Sequence, residues 1–271
     1  MTHKTIQLNN LSLIFPHKIC YEDFSVDIPY ASRIAIIGCN GCGKSSLLNF
    51  LRGNSTHATG ELNMPNNVQI GYVPQIIEEF VSLSGGQRFH AALTQALSMN
   101  PNVLLLDEPT NHLDRRNRQS LLRLLDSYQG TLIIVSHDVE LLQRSVDSFW
   151  HIDQGKIHRF MGQYNDYKRE KKIQRLSLEH EITQLEKQKY AMHHALMQEQ
   201  KRAAKSRTKG EKSIEQRKWP SVVSNAKARR AEQTTGRKKL QIYDKKQELN
   251  EKLVECRIPE IIKPKFSITT E

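Results

Sequence analysis

The sequence predicts an α/β fold with a parallel-sheet core, followed by a basic α-helical hairpin arm. Strand-like and helix-like segments alternate three times before residue 137, and the strand-like ones are unbroken apolar runs, as in a sheet covered on both faces. From Lys168 to about Gln200 the chain has no Pro or Gly, and apolar residues recur at spacings of four and three. The charge divides at the same place: residues 1–167 hold 13 Lys+Arg against 15 Asp+Glu, whereas residues 168–271 hold 27 against 14.

Taken in order, "KTIQLNNLSLIF" and "YEDFSVDIP" read as short alternating strands bounded by Pro16 and Pro29. "RIAIIG" is a buried strand that ends at Gly38 and leads through a glycine-rich turn into the helix "KSSLLNFLRG". "GYVPQ" ends a further strand at Gln75. The helix "GGQRFHAALTQALSMN" precedes the strand "NVLLLD", and the helix "RRNRQSLLRLLDSYQG" precedes the strand "TLIIVS". Strand, helix and parallel strand in succession require crossover connections. Beyond Tyr167, Leu178, Ile182, Leu185, Lys189, Met192 and Leu196 form a heptad-like stripe on a helix about 45 Å long. Ile242, Leu249, Leu253 and Cys256 repeat the stripe between about Lys239 and Arg257. Either stripe alone is too thin to bury much, so the two are expected to pair as an antiparallel hairpin. Residues 201–240 between them hold 14 Lys+Arg against 3 Asp+Glu, and Trp219-Pro220. The expected organisation is a nucleotide-binding unit over residues 1–161, an arm over 162–257 with its basic tip near 201–240, and a tail over 258–271.

"GCNGCGKSS" fits the phosphate-loop pattern G-x-x-x-x-G-K-[ST], with a buried strand before it and a helix after it. In such a loop Gly38, Asn40, Gly41 and Gly43 let the backbone N–H groups close round phosphates, and Lys44 reaches the β and γ phosphates of ATP. Ser45 ligates Mg²⁺, and the helix start at Ser45 and Ser46 adds its dipole. Asp107 at a strand end can hold the metal through water, and Glu108 beside it can act as general base on an attacking water. His137 ends the next buried strand on the same sheet edge, where an imidazole can contact a γ-phosphate. Cys39 and Cys42 spell C-x-x-C inside the loop, but a structural zinc needs two further ligands and none with matching spacing lies nearby; both read as small loop-lining residues.

These residues resemble the ATP-binding-cassette (ABC) ATPases. "LSGGQ" is similar to that family's signature sequence, Gln75 in "YVPQ" to its Q-loop and "PTNHLD" to its D-loop. Phe15 sits where the adenine-stacking aromatic is expected. The resemblance covers residues 15–138 and implies a P-loop nucleotide-binding cassette that takes ATP and Mg²⁺. It implies that Gln75 senses metal and water. The resemblance likewise implies that Ser84, Gly85, Gly86 and Gln87 act on the nucleotide of a facing cassette and that Asp114 lines the seam between the two. "GQYNDYKREKK" and the basic segment that follows narrow the resemblance to the ABC-F branch, whose helical arm reaches ribosomal RNA and transfer RNA. The sequence departs from the family twice. Only "IIEEFVSL" separates Gln75 from Ser84, where a helical subdomain is normal, and one cassette's motifs appear where the family has two. The nucleotide site is then expected to be completed by a homodimer or a partner cassette, unless the chain is a weakly active remnant.

The longest apolar runs are four or five residues, too short to span a bilayer, and the N-terminus has no signal-peptide core. The four cysteines lack a secreted-scaffold spacing, so a cytoplasmic protein with free thiols is expected and a membrane partner is not. Two other readings stand beside a ribosome-acting translation or antibiotic-protection factor. One is the ATPase subunit of a membrane transporter, and the other is an RNA-binding form that hydrolyses ATP poorly.

Overall fold

The computed structural model describes residues 2–54, 57–77, 83–111, 113–215 and 240–252. Contacts divide the chain into two units, Met1–Lys171 and Lys172–Glu271. The interior of the segment between Gln75 and Ser84, Trp219-Pro220 and most of the expected basic tip, Leu253, Cys256 and the expected tail lie outside the described residues.

The first unit holds two sheets. β1 (Ile6–Phe15) and β2 (Lys18–Ile28) pair antiparallel across the Pro16-His17 turn, and β4 (Ala58–Asn63) adds to the other edge of β1. The larger sheet runs in the order β5 (Ile70–Val73), β6 (Val103–Asp107), β7 (Thr131–Val135), β3 (Arg33–Gly38), β8 (Ser148–Asp153) and β9 (Lys156–Met161). Five of its strands are parallel, and β9 closes the edge as the antiparallel partner of β8. The helices of this unit are α1 (Lys44–Leu51), α2 (Gly85–Leu97), α3 (Arg115–Ser127) and α4 (Val139–Ser145).

Alternation along the central strands explains why their sequences are apolar throughout. Val103, Leu105, Ile133, Val135, Ile34 and Ile36 face a core shared with β1, β2 and the Leu47, Leu48, Phe50 and Leu51 face of α1. Leu104, Leu106, Leu132, Ile134 and Ala35 face the opposite way, onto Phe89 and Leu93 of α2, Leu121, Leu122 and Leu125 of α3, and Leu141 and Leu142 of α4. The unit is therefore three layers: antiparallel sheet with α1, mixed sheet, and α2 to α4.

α5 (Tyr164–Glu215) is a single helix of 52 residues. The sequence reading ended it near Gln200. Residues 201–215 continue it because they are mostly Lys, Arg, Ala and Glu, good helix formers, and the one Gly, Gly210, costs only about 1 kcal/mol. Along α5 the half-buried positions between residues 178 and 202 are 178, 182, 185, 189, 192, 196 and 199, which follow the heptad stripe. In the second helical run Ile242 and Lys246 are half-buried and Leu249 is buried. At its root, Tyr167 stacks on Phe149, with ring centroids 5.1 Å apart, and meets the edges of Phe160 and His151.

Candidate nucleotide site

The carboxyl ends of the parallel strands bring the site together, as expected where crossover helices leave a crevice at that edge. Ile36 of β3 pairs with Val135 of β7, and Val135 pairs with Asp107 of β6, so the phosphate loop, Asp107-Glu108 and Ser136-His137 occupy neighbouring strand ends.

The loop from Gly38 to Gly43 folds into a cradle. Gly41 (φ 72°) and Gly43 (φ 97°) take the left-handed region, and a Cβ at Gly43 would also strike Leu13 at 2.7 Å and Tyr21 at 3.1 Å. Gly43 is the N-cap of α1 and offers no side-chain cap, and a helix start of this kind favours an anion. Buried Lys44 folds back onto its own loop, where its Nζ donates to the Gly38 carbonyl at 2.9 Å and to the Cys39 carbonyl at 3.0 Å. Asn40 and Ser45 are exposed and Ser46 is half-buried at the mouth of this cradle.

Asp107 and Glu108 sit beneath the loop. Burial raises the pKa of Asp107, opposed by a hydrogen bond from Ser45 and by the charge of Lys44. Its Oδ1 is buried with no partner among the described residues. A carboxylate with one unpartnered oxygen, tied to a hydroxyl at a glycine-rich loop, fits a hard divalent cation such as Mg²⁺. Glu108 adopts φ 46°, a left-handed conformation unusual for a side-chain-bearing residue, while its N–H donates to Val135 O at 2.8 Å. Its Oε1 lies 3.4 Å from His137 Nε2. Burial raises the Glu108 pKa, while the charges of His137 and Lys44 oppose the shift. His137 is half exposed, so the pair opens to solvent on the imidazole side.

Asp138, missed in the sequence reading, holds the His137 turn. Its N–H donates to Ser136 Oγ at 3.1 Å, its carboxylate caps α4 through Leu141 N at 3.2 Å, and Arg118 of α3 pairs with it. An Asp directly before a helix was the available signal. Lys18 was missed as well. It stands opposite Phe15 across the hairpin turn, and its Nζ donates to the Gly41 carbonyl at 2.9 Å, which ties that turn to the phosphate loop. Phe15 is half-buried and tilts against His57, with ring centroids 5.5 Å apart.

The remaining predicted residues make no contact with this cluster among the described residues. Gln75 is exposed two residues beyond Val73, whose partner is Leu106, and makes no hydrogen bond among the described residues. Ser84 and Gln87 form a capping box at the start of α2: Gln87 N donates to Ser84 Oγ, and Ser84 N donates to Gln87 Oε1 at 3.0 Å. Gly85 and Gly86 make the first turn of that helix. Asp114 caps α3, accepting from Asn117 N at 2.7 Å.

Residues 21–76 match the ABC transporter family, and residues 77–143 match an AAA-domain family named for the AbiEii toxin of type IV toxin–antitoxin systems. The chain is 29% identical over 205 residues to the ribosome protection protein VmlR of Bacillus subtilis, an alignment covering 67% of this chain and 37% of that one. It is 28% identical over 220 residues to ABC transporter F family member 4 of Arabidopsis thaliana, covering 62% and 30%. The chain thus spans about a third of the length of these relatives. The fold matches that of a bacterial Atm1-family ABC exporter with ATP bound, with a TM-score of 0.53 at 20% identity over 62% of this chain and 40% of that one. Among the described residues no helix is long and apolar enough to cross a membrane. The parallel-sheet core has the fold of the ABC proteins, and over residues 21–76 the sequence is similar to the ABC transporter family.

Proposed function

We propose that the chain is an ABC-F-like ATPase that acts on the ribosome. The observation that carries the catalytic part is the Glu108–His137 pair, 3.4 Å apart, one residue from Asp107 and beneath the loop that holds Lys44. Glu108 takes the proton of a water that attacks the γ-phosphate in line, and His137 holds that carboxylate in place and contacts the phosphate. The charge of Lys44 and the N–H groups at the start of α1 bind the phosphates. Ser45 and Asp107 would hold Mg²⁺, which neutralises phosphate charge when bound, and Gln75 would complete that set. Phe15 would stack on the adenine. The signature turn Ser84-Gly85-Gly86-Gln87 would face the nucleotide of a second cassette, from another copy or a partner, with Asp114 at the seam.

The ribosomal part rests on the likeness to a ribosome protection protein and on a basic excess confined to residues 168–271. Basic charge confined to one region of the sequence favours a polyanionic partner such as ribosomal or transfer RNA. It also fits a cytoplasmic site of action. The test is co-sedimentation of Glu108→Gln with ribosomes in the presence of ATP. Enrichment in the ribosome pellet over nucleotide-free protein is expected, and its absence would count against the reading.

A further inference from the structure

The phosphate loop carries two thiols that neither the fold nor the proposed catalysis uses. Cys42 N donates to Cys39 O at 3.3 Å, and Gly41, third residue of that turn, has φ 72°, as in a type II turn. A turn closed in this way keeps its first and last Cα atoms within about 7 Å. Disulfides span about 4.4–6.8 Å between Cα atoms, a range that such a turn allows. The two side chains are within hydrogen-bond reach of each other. Cys39 is exposed and Cys42 is buried against the loop backbone, its Sγ 2.6 Å from the position a Cβ would take on Gly38. One thiol is therefore open to a reagent from solvent, and the other waits beneath it.

We propose that Cys39 and Cys42 form a reversible disulfide across the phosphate loop, driven by a low-molecular-weight disulfide of the glutathione class, and that this bond closes the nucleotide site. The Cys39 thiolate attacks one sulfur of the reagent and releases one thiolate. The Cys42 thiolate then attacks the Cys39 sulfur of the mixed disulfide and releases the second. Two protein thiols lose two electrons and two protons, and the reagent is reduced to two thiols. Entry through Cys39 follows from exposure, since burial pushes the Cys42 thiol up to about 11 and keeps it protonated at first.

The bond would act on binding through the backbone. It bridges the residues on either side of Asn40 and Gly41. The Cys39 carbonyl is one of the two that Lys44 grips, and the Gly41 carbonyl is held by Lys18. A loop cross-linked there is held in the form in which Lys44 and Lys18 grip its own carbonyls instead of a phosphate. Cys20 supplies the competing outcome. It is buried below the loop, with its Sγ 3.9 Å from the Gly41 carbonyl, and shares no turn with Cys39.

This inference rests on the phosphate-binding reading of the loop, so the experiment separates the two. Purified protein is incubated with oxidised glutathione, the bond is mapped by peptide mass spectrometry, and affinity for a fluorescent ATP analogue is measured before and after dithiothreitol. A Cys39–Cys42 bond with affinity weakened about tenfold or more, and restored by reductant, is expected. In C39S, which changes only the exposed thiol, oxidised and reduced samples should bind equally. Free thiols at both positions after oxidation, a bond to Cys20, or a mapped Cys39–Cys42 bond without loss of affinity would each overturn the proposal. A reduced protein that fails to bind the analogue would refute the nucleotide reading instead, and the mapping would still decide the bond.

Discussion

Replacing Asp107 by Asn should stabilise the ligand-free protein and remove its response to Mg²⁺ with ATP. Asp107 is 3% exposed, and one carboxylate oxygen has no partner among the described residues. An unsatisfied buried acceptor costs about 1–3 kcal/mol, more when charged, and the unpaired NH₂ of the new Asn returns about 1 kcal/mol of that cost. A net gain of about 1 kcal/mol at neutral pH follows, or roughly 2–4 °C in Tm for a unit of this size. Burial raises the folded-state pKa of Asp107 above its ordinary value. The wild-type carboxyl therefore does not disfavour folding below the unfolded pKa, and stability is lost as pH rises through the folded one. The advantage of D107N should be small near pH 4 and should grow toward pH 7. Mg²⁺ with ATP reverses the order, because ligand at about 100 times Kd adds about 2.7 kcal/mol to the wild type only. Thermal unfolding across pH 4–8, with and without Mg²⁺ and ATP, measures all three effects. A D107N variant less stable than wild type by the same amount at every pH would refute the reasoning.

Two further variants test the frame round the site. Tyr167→Ala removes a ring that stacks on Phe149 and touches Phe160 and His151, and should cost about 2–4 kcal/mol in thermal unfolding of the cassette. Arg118→Ala leaves Asp138, whose side chain is 7% exposed, without its cation beside His137. A loss of about 1–3 kcal/mol is expected, with slower hydrolysis and nearly unchanged ATP affinity, read by steady-state turnover against equilibrium binding.

The central strands were legible because a strand covered on both faces must be apolar throughout, as "RIAIIG", "NVLLLD" and "TLIIV" are. β4 was not, since "ATGELN" is an edge strand with mostly exposed residues and no alternation to read. β8 and β9 carry His and Arg, and their hairpin is made by Gln154 and Gly155, both at positive φ, a turn chemistry that the residue types announce weakly. The phosphate loop could be read residue by residue because backbone cradles demand glycine at fixed spacing. The left-handed backbone of Glu108, the Lys18 bond to Gly41 and the Arg118–Asp138 support arise from segments that meet only in the fold. The capping box formed by Ser84 and Gln87 gives that turn a local structural role of its own.

Glu108 carries the proposed chemistry most directly. Steady-state ATP hydrolysis by wild type and Glu108→Gln, measured alongside ATP affinity, should show turnover falling about 10²–10⁴-fold in the variant while affinity is kept. A hydrolysis rate that the substitution leaves unchanged would contradict Glu108 as the base and, with it, the site.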